Sequence, residues 1–392
     1  MRNLITLSLP LLFAACGARP PVQPPPPPVE VELEPMLVEV DAEGQVEAID
    51  AAGLFEDGQA AFARQDWPTC DKEFGRLLEK FPDAPQVHAA LYNRGLCLEY
   101  LRQYDLAGQH FRRHAQLATD EKDRVDGLFR LGYNLVMGKQ HVQAIHLYDE
   151  LIGNPLIGPA DRAECHLRRG TAMLYLDRAS QAEKELQLAM ALTKEAYEGI
   201  TDGNDVFAEA HFRRAEIYQR LAHGVHLKLP VESMKGDLAG KVRFFRQSQQ
   251  SYIDALNVRN SYWSTASGLK LGELYEEFYR DVLSAEVPKS FDADTRRFYI
   301  VELKKRLQPL LEQSLAIYEK NITMSERIGA QNEWVAETEV RVQRLRDLIE
   351  ANARATDAPA SDAPPTPPMG ADASGGAQRT MAATRRSAAP SL

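Results

Sequence analysis

Nine histidines and four cysteines are the residues of this 392-residue chain best suited to metal or nucleophilic chemistry, and neither set is arranged for it. His110 and His114, and likewise His141 and His146, lack acidic or cysteine partners at matching offsets. His223 and His226 are the one histidine pair worth testing for a metal, and a solvated loop is the plainer reading of that stretch. There is no HExxH, no glycine-rich phosphate loop ending in Lys-Ser or Lys-Thr, no nucleophile elbow and no paired CxxC. Neither an enzyme nor a bound cofactor is expected. Catalysis would need a constellation spread over His223, Asp237, Asp292 and Asp294. A different chemistry is suggested by Arg130, Arg168, Arg213 and Lys270, each two residues before a small residue, with Asn93 in the same place before Gly95. Guanidinium forks match carboxylates with two parallel hydrogen bonds, so a column of such cations could clamp an acidic or C-terminal peptide. The alternative is that these cations pair with Glu164, Glu209 or Glu216 on neighbouring helices.

The elements that must position this column repeat along the chain. Between Arg124 and Leu156, small residues at Gly132 and Ala144 fall where two antiparallel helices approach. Leu128, Leu131 and Leu135 then face Ile145, Tyr148 and Leu151. The same offsets recur at Gly58, Ala61, Cys70, Phe74, Leu77 and Pro82, at Gly95, Leu98, Ala107 and Phe111, and at Gly170, Met173, Ala182, Leu186 and Ala189. The glycine steps are 37, 37 and 38 residues. A fixed period of this size marks stacked hairpins, each burying an apolar face its neighbour leaves open.

The run Gly58-Ala61-Cys70-Phe74-Pro82 resembles the tetratricopeptide repeat family, with Leu54, Leu91 and Leu128 where that family has a large residue, usually Trp. The resemblance implies an all-α superhelix of antiparallel helix pairs whose first helices line a concave groove. Asn93, Arg130, Arg168, Arg213 and Lys270 would then form its peptide-binding surface. Asn93 and Arg130 resemble part of the carboxylate clamp of co-chaperone repeats, but Asp126, Phe55 and Gln59 stand where its Lys, Lys and Asn belong.

About six units are expected. Four occupy residues 51–204, and two degenerate ones occupy 205–330. The fifth is interrupted by a loop from His223 to Gly240 and the sixth by one from Val282 to Thr295. Insertions at the same place in consecutive units emerge on one side of the array, and loops of such length are commonly functional. A capping helix is expected over 331–353, with Trp334, Thr338, Val342, Leu345, Leu348 and Ile349 on one stripe. Residues 354–392, poor in large apolar side chains, read as a disordered tail.

At the other end, Arg2, an apolar run from Leu4 to Phe13 and Ala14-Ala15 precede Cys16. The run is too short to span a bilayer and reads as an export signal over 1–15. It resembles the bacterial lipobox, which implies lipidation of Cys16 and an outer-membrane lipoprotein facing the periplasm. Residues 16–50 would follow as a stalk and acidic linker. Five consecutive prolines at Pro24 to Pro28 form a stiff spacer rising about 3.1 Å per residue. Val29 to Val40 alternates apolar and acidic residues, and an extended linker is the expected reading, a strand added to a partner's sheet the alternative. Cys70 and Cys97 fall on helices that pack directly in such arrays. A bridge between them is conceivable in an oxidising compartment, although free buried thiols are the favoured reading. A net charge of −10 without a basic run argues against nucleic acid as a partner. The whole plan resembles repeat-bearing lipoproteins of the bacterial envelope, including accessory subunits of outer-membrane assembly and myxobacterial repeat lipoproteins. The function this implies is a scaffold for envelope proteins. A groove-type receptor for acidic or C-terminal peptides is the alternative.

Overall fold

The computed structural model describes residues 35–40 and 46–357. The expected leader, Cys16, the proline run and the tail beyond Asp357 lie outside them. Twelve of the thirteen helices among the described residues form six antiparallel hairpins. These are α1 (Ala51–Ala63) with α2 (Trp67–Lys80), α3 (Val87–Tyr100) with α4 (Tyr104–Leu117), and α5 (Glu121–Met137) with α6 (His141–Ile152). Next come α7 (Pro159–Tyr175) with α8 (Ala179–Ala196), α9 (Asp205–Gly224) with α10 (Val231–Asn257), and α11 (Ser261–Leu283) with α12 (Ala293–Ile328). The last helix, α13 (Glu333–Asp357), closes the stack. The buried apolar residues fall into five clusters in series rather than one centre. The expected all-α array of helix pairs is the observed architecture.

Each hairpin closes by pressing a large residue of its second helix onto a small one of its first. Phe74 lies over Gly58, Phe111 over Gly95 and Tyr148 over Gly132. A Cβ added at Gly132 would sit 2.5 Å from the Tyr148 ring. All three rings are fully buried, a burial worth roughly 1.5–3 kcal/mol each. In the first four hairpins the joining turn is also constant. Gln65, Arg102, Lys139 and Asp177 adopt φ of 60°, 58°, 61° and 56°, the left-handed conformation that reverses the chain in three residues. Asp50 and Asp66 cap α1 and α2 by accepting from Gly53 N (2.7 Å) and Thr69 N (3.3 Å).

The last two hairpins keep the small-to-large packing but lengthen the helices. Ser248 and Ser314 take the place of the small Ala107 or Ala144. Each donates its hydroxyl at 2.9 Å to the carbonyl of the facing small residue, Ala215 or Gly272. The expected long loops are mostly helix. The first shrinks to residues 225–230, because α10 starts at Val231 despite Gly236 and Gly240. The second shrinks to 284–292, with α11 running through Leu283 and α12 beginning at Ala293. The two short loops do emerge on the same side and are tied together, Glu286 N donating to Leu227 O at 3.0 Å and Leu229 N to the Glu286 carboxylate at 2.9 Å.

Three further expectations are corrected. Met36–Val40 is not a lone linker: as β1 it pairs antiparallel with β2 (Val46–Asp50), Leu37 opposite Ile49, and the strand runs straight into the α1 cap. Cys70 and Cys97 are not free thiols but a disulfide between α2 and α3, with Cα atoms 6.0 Å apart. Cys165 is the buried free cysteine among the described residues. The capping helix extends through Asp357, past the expected start of the tail. Its stripe packs as expected at Thr338, Val342 and Leu345, all buried, while Leu348 is exposed.

Candidate binding groove

First helices touch one another across hairpins, α5 with α7, α7 with α9, α9 with α11 and α11 with α13, whereas second helices make no comparable contact. The array therefore curves with its first helices on the inner, concave side. The cation column stands there, and each cation already has carboxylate company. Arg130 on α5 reaches Glu99 of α3 at 3.2 Å. Glu99 also accepts from Asn134 Nδ2 at 2.5 Å. Arg168 on α7 donates to Glu209 of α9 at 2.8 Å and to Glu164 at 3.4 Å, and lies over the Tyr133 ring of α5. Arg213 on α9 donates to Glu209 at 3.0 Å and to Glu216 at 2.9 Å, with its guanidinium 5.4 Å from the Trp263 ring of α11. Lys270 on α11 reaches Glu273 at 2.7 Å, and Arg341 on α13 reaches the same carboxylate at 2.8 Å.

The result is a broken ladder: ion pairs join α3 to α5, α7 to α9 and α11 to α13, and the steps between them are spanned by Arg168 over Tyr133 and by Trp263 against Arg213 and Asp205, while Lys270 pairs within its own helix. Its centre is Glu209, 2% exposed and shared by Arg168 and Arg213, whose side chains are 16% and 17% exposed. Burial disfavours charge on all three, but the opposite charges win. Glu209 is held below the usual carboxylate range by Arg168 and Arg213. Arg168 is held above the ordinary guanidinium value by Glu209 and Glu164, and Arg213 by Glu216 and Glu209. Nearby, burial and then the Glu209 charge push Asp205 upward, although Trp263 donates its indole N–H to it at 2.8 Å.

The ladder loosens toward the second hairpin. Burial raises the Glu99 pKa despite Arg130, whose own side chain is 44% exposed. Asn93, half-buried on α3, makes no side-chain hydrogen bond among the described residues. A cleft of about 430 Å³ opens farther along, where Gln219 and Arg220 of α9 face Lys270 and Glu277 of α11.

Four expected groove positions thus each carry an ion pair with an acid, and the Asn93 side chain carries no such partner among the described residues. Arg341, Glu99 and Glu273 were not anticipated. Glu99 and Glu273 carry a readable signal, an acid one turn or a few residues from the cation column, but Arg341 has no small residue after it. The scattered candidates for catalysis are not gathered: His223 pairs with Asp281 at 3.1 Å, and Asp292 caps α12 through Thr295 N at 2.7 Å. Among the described residues, no three His, Cys, Asp or Glu side chains are grouped to hold a metal, and no helix is long and apolar enough to cross a membrane.

No protein-family model matches the chain, and no curated protein matches it. Among solved structures it is similar to the apo form of RapI, at 12% identity over 78% of this chain and 97% of that one, with a TM-score of 0.43. The C-terminal part of a tetratricopeptide repeat-containing protein from Cytophaga hutchinsonii is similar at 12% identity over 77% and 98%, TM-score 0.41. A tetratricopeptide repeat protein from Parabacteroides merdae is similar at 14% identity over 78% and 98%, TM-score 0.37. Likenesses this distant carry no functional argument. The tetratricopeptide-like repeat fold rests on the hairpins themselves.

Proposed function

We propose that this chain is a non-enzymatic protein-interaction scaffold that organises or helps assemble a cell-envelope complex, anchored by a lipid on Cys16 and facing the periplasm from the outer membrane. The observation that carries the scaffold reading is the ladder. Polar side chains of the concave face are occupied in fixing neighbouring first helices to one another, which makes a long rigid surface rather than a reactive centre. The envelope reading draws support from the apolar leader ahead of Cys16 and from the Cys70–Cys97 bond, which suits an oxidising compartment.

A second reading, a groove-type receptor for acidic or C-terminal peptide segments, is favoured at one place. Arg130 is 44% exposed and Asn93 has an unused amide, so a carboxylate could approach Arg130 from solvent, sharing it with Glu99. At Arg168 and Arg213 a ligand would have to displace Glu209.

The test is crosslinking and pull-down from intact envelopes, comparing the native chain with one carrying Asn93→Ala and Arg130→Ala. A defined set of envelope proteins recovered with both forms supports the scaffold, and loss of that set from the variant alone supports the receptor. Recovery of no partner with either form refutes both. Arg168 and Arg213 are unsuitable probes, since their loss strands Glu209. The anchor is tested by metabolic labelling with palmitate, which should fail for Cys16→Ala.

A further inference from the structure

We infer that the overhanging N-terminal half of α12, together with the start of α10, is a docking surface for an anionic lipid bilayer. The anchor of the proposed function is not needed for this. Of the residues of α12 before Pro309, none is buried, whereas Leu311, Ser314, Tyr318, Asn321 and Ser325 after it all are. Proline cannot donate to the preceding turn, and here it lies close to where the helix leaves the core, Leu307 just before it being the partly buried residue that still packs against the last cluster. Phe298 is 62% exposed and Tyr299 36% exposed, and neither they nor Ile300, Val301 and Leu303 pack against a core cluster. On a helical projection Phe298 falls opposite Leu311 and Ser314, on the stripe it shares with Lys305.

The charge of this region is opposite to that of the molecule. Residues 289–306 hold six cations against three acids, and residues 228–246, leaving aside the buried Lys241 neutralised by Asp281, hold four against two. The first segment is therefore +3 and the second +2 in a chain of −10. The structure brings the two segments together, because the loops leading into α10 and α12 are bonded through Leu227, Leu229 and Glu286. Arg296, Arg297, Lys304 and Lys305 make no ion pair among the described residues, unlike the cations of the ladder. Val231 and Leu238 at the start of α10 are 49% and 38% exposed. Exposed aromatic and aliphatic side chains flanked by unpaired cations on a protruding helix are what an interface of anionic headgroups over hydrocarbon takes up: the cations meet lipid phosphates and the rings enter the headgroup boundary. The acidic remainder of the molecule would be repelled, so contact is confined to this end.

The experiment is vesicle flotation of the full chain carrying Cys16→Ser, so that no lipid is attached. Vesicles are phosphatidylcholine alone or phosphatidylcholine with a minority of phosphatidylglycerol, each at low and high salt. Binding is expected to require the anionic lipid and to weaken with salt. Arg296→Glu with Lys304→Glu and Lys305→Glu should lower it about tenfold or more, and Phe298→Ser, which leaves the charge intact, several-fold. Equal binding to both vesicle types, or unchanged binding by either variant, overturns the inference. Two competing occupants are read in parallel. A solution dimer that Phe298→Ser dissociates would assign the surface to a second copy, and salt-sensitive binding of a single-stranded oligonucleotide that ignores Phe298, without vesicle binding, would assign it to nucleic acid. Either outcome overturns the bilayer.

Discussion

The first four hairpins and the last two solve the same packing problem with different materials. From α1 to α8, helices of 12 to 18 residues meet through a three-residue turn, and the interface is a ring on a glycine or a leucine beside one. From α9 to α12, helices of 20 to 36 residues meet through longer loops, and the interface is threaded with buried polar contacts. Lys241, 1% exposed, donates to Ala222 O and to Asp281, both at 2.6 Å, and Asn321 donates to Thr265 O at 3.0 Å and to Thr338 at 3.1 Å. Short hairpins gain alignment from the turn itself. Long ones have many sliding registers of similar apolar content, and directional hydrogen bonds between named partners select one.

The two regions are joined at Glu209, so the largest effect is expected there. Glu209→Ala leaves Arg168 and Arg213 without their shared partner in a largely buried setting, a loss of about 3–5 kcal/mol. Urea unfolding followed by peptide-resolved hydrogen exchange should show the regions separating into two transitions. One unsplit transition at the native midpoint would mean that the ladder does not couple them.

Next in size is an effect confined to the first region. Reduction of Cys70–Cys97, or Cys70→Ala with Cys97→Ala, releases a loop spanning 27 residues and should destabilise that region by roughly 3 kcal/mol. Exchange protection in α9 to α12 should stay as it was, and equal loss in both regions would contradict the division.

Acid should act the same way but more gently. Burial lowers the pKa of His110 to about 4, helped by Arg94, and burial also lowers His114 and His141. In the second region burial lowers His211. A folded pKa below the unfolded value of 6.5 means that the unfolded chain takes up a proton first, so stability falls as pH drops from about 6.5 toward about 4 and the His110 contribution levels off below that. Three such histidines against one predict that α3 to α6 lose exchange protection before α9 to α12 do.

The smallest expected change is a gain. Arg102→Gly or Lys139→Gly places in a left-handed turn the residue that adopts it without a Cβ penalty, raising stability by about 0.5–1 kcal/mol in thermal melts. A loss would show that the side chains, rather than the turn geometry, fix those positions.

How far the sequence could be read follows from the same contrast. In the first region a ring follows its glycine by a constant sixteen residues, because a three-residue turn allows no other offset, so Phe74, Phe111 and Tyr148 were legible. In the second region the partner of Ala215 is Tyr252 and that of Gly272 is Tyr318, at offsets of 37 and 46; Tyr252 and Tyr318 were still legible as the residues at which the interrupted pattern resumes, but the helical course of the chain between was not. Gly236 and Gly240 read as loop breakers, yet an exposed glycine in a helix costs only about 1 kcal/mol, and the buried Lys241 contacts hold α10 in place directly after them. Leu37 and Val38 showed a strand pattern, but a helical array offers no sheet for it to join, and the five-residue partner Val46–Asp50 is too short to announce itself. The cation column was visible, whereas its partners were only partly so. Glu164, Glu209 and Glu216 could be named as alternatives to a peptide ligand, but which acid meets which cation depends on how far one hairpin is rotated on the next.

The bond between Cys70 and Cys97 also fixes how the array would respond to force. A pull applied on the N-terminal side of α1 can peel that helix and the first turn of α2. At Cys70 the load crosses directly to α3, and the segment between the two cysteines is bypassed. Tension therefore enters the stack at its second hairpin, with most of α2 shielded, and the length that the first hairpin can give up before the rest must yield is set by a covalent stop.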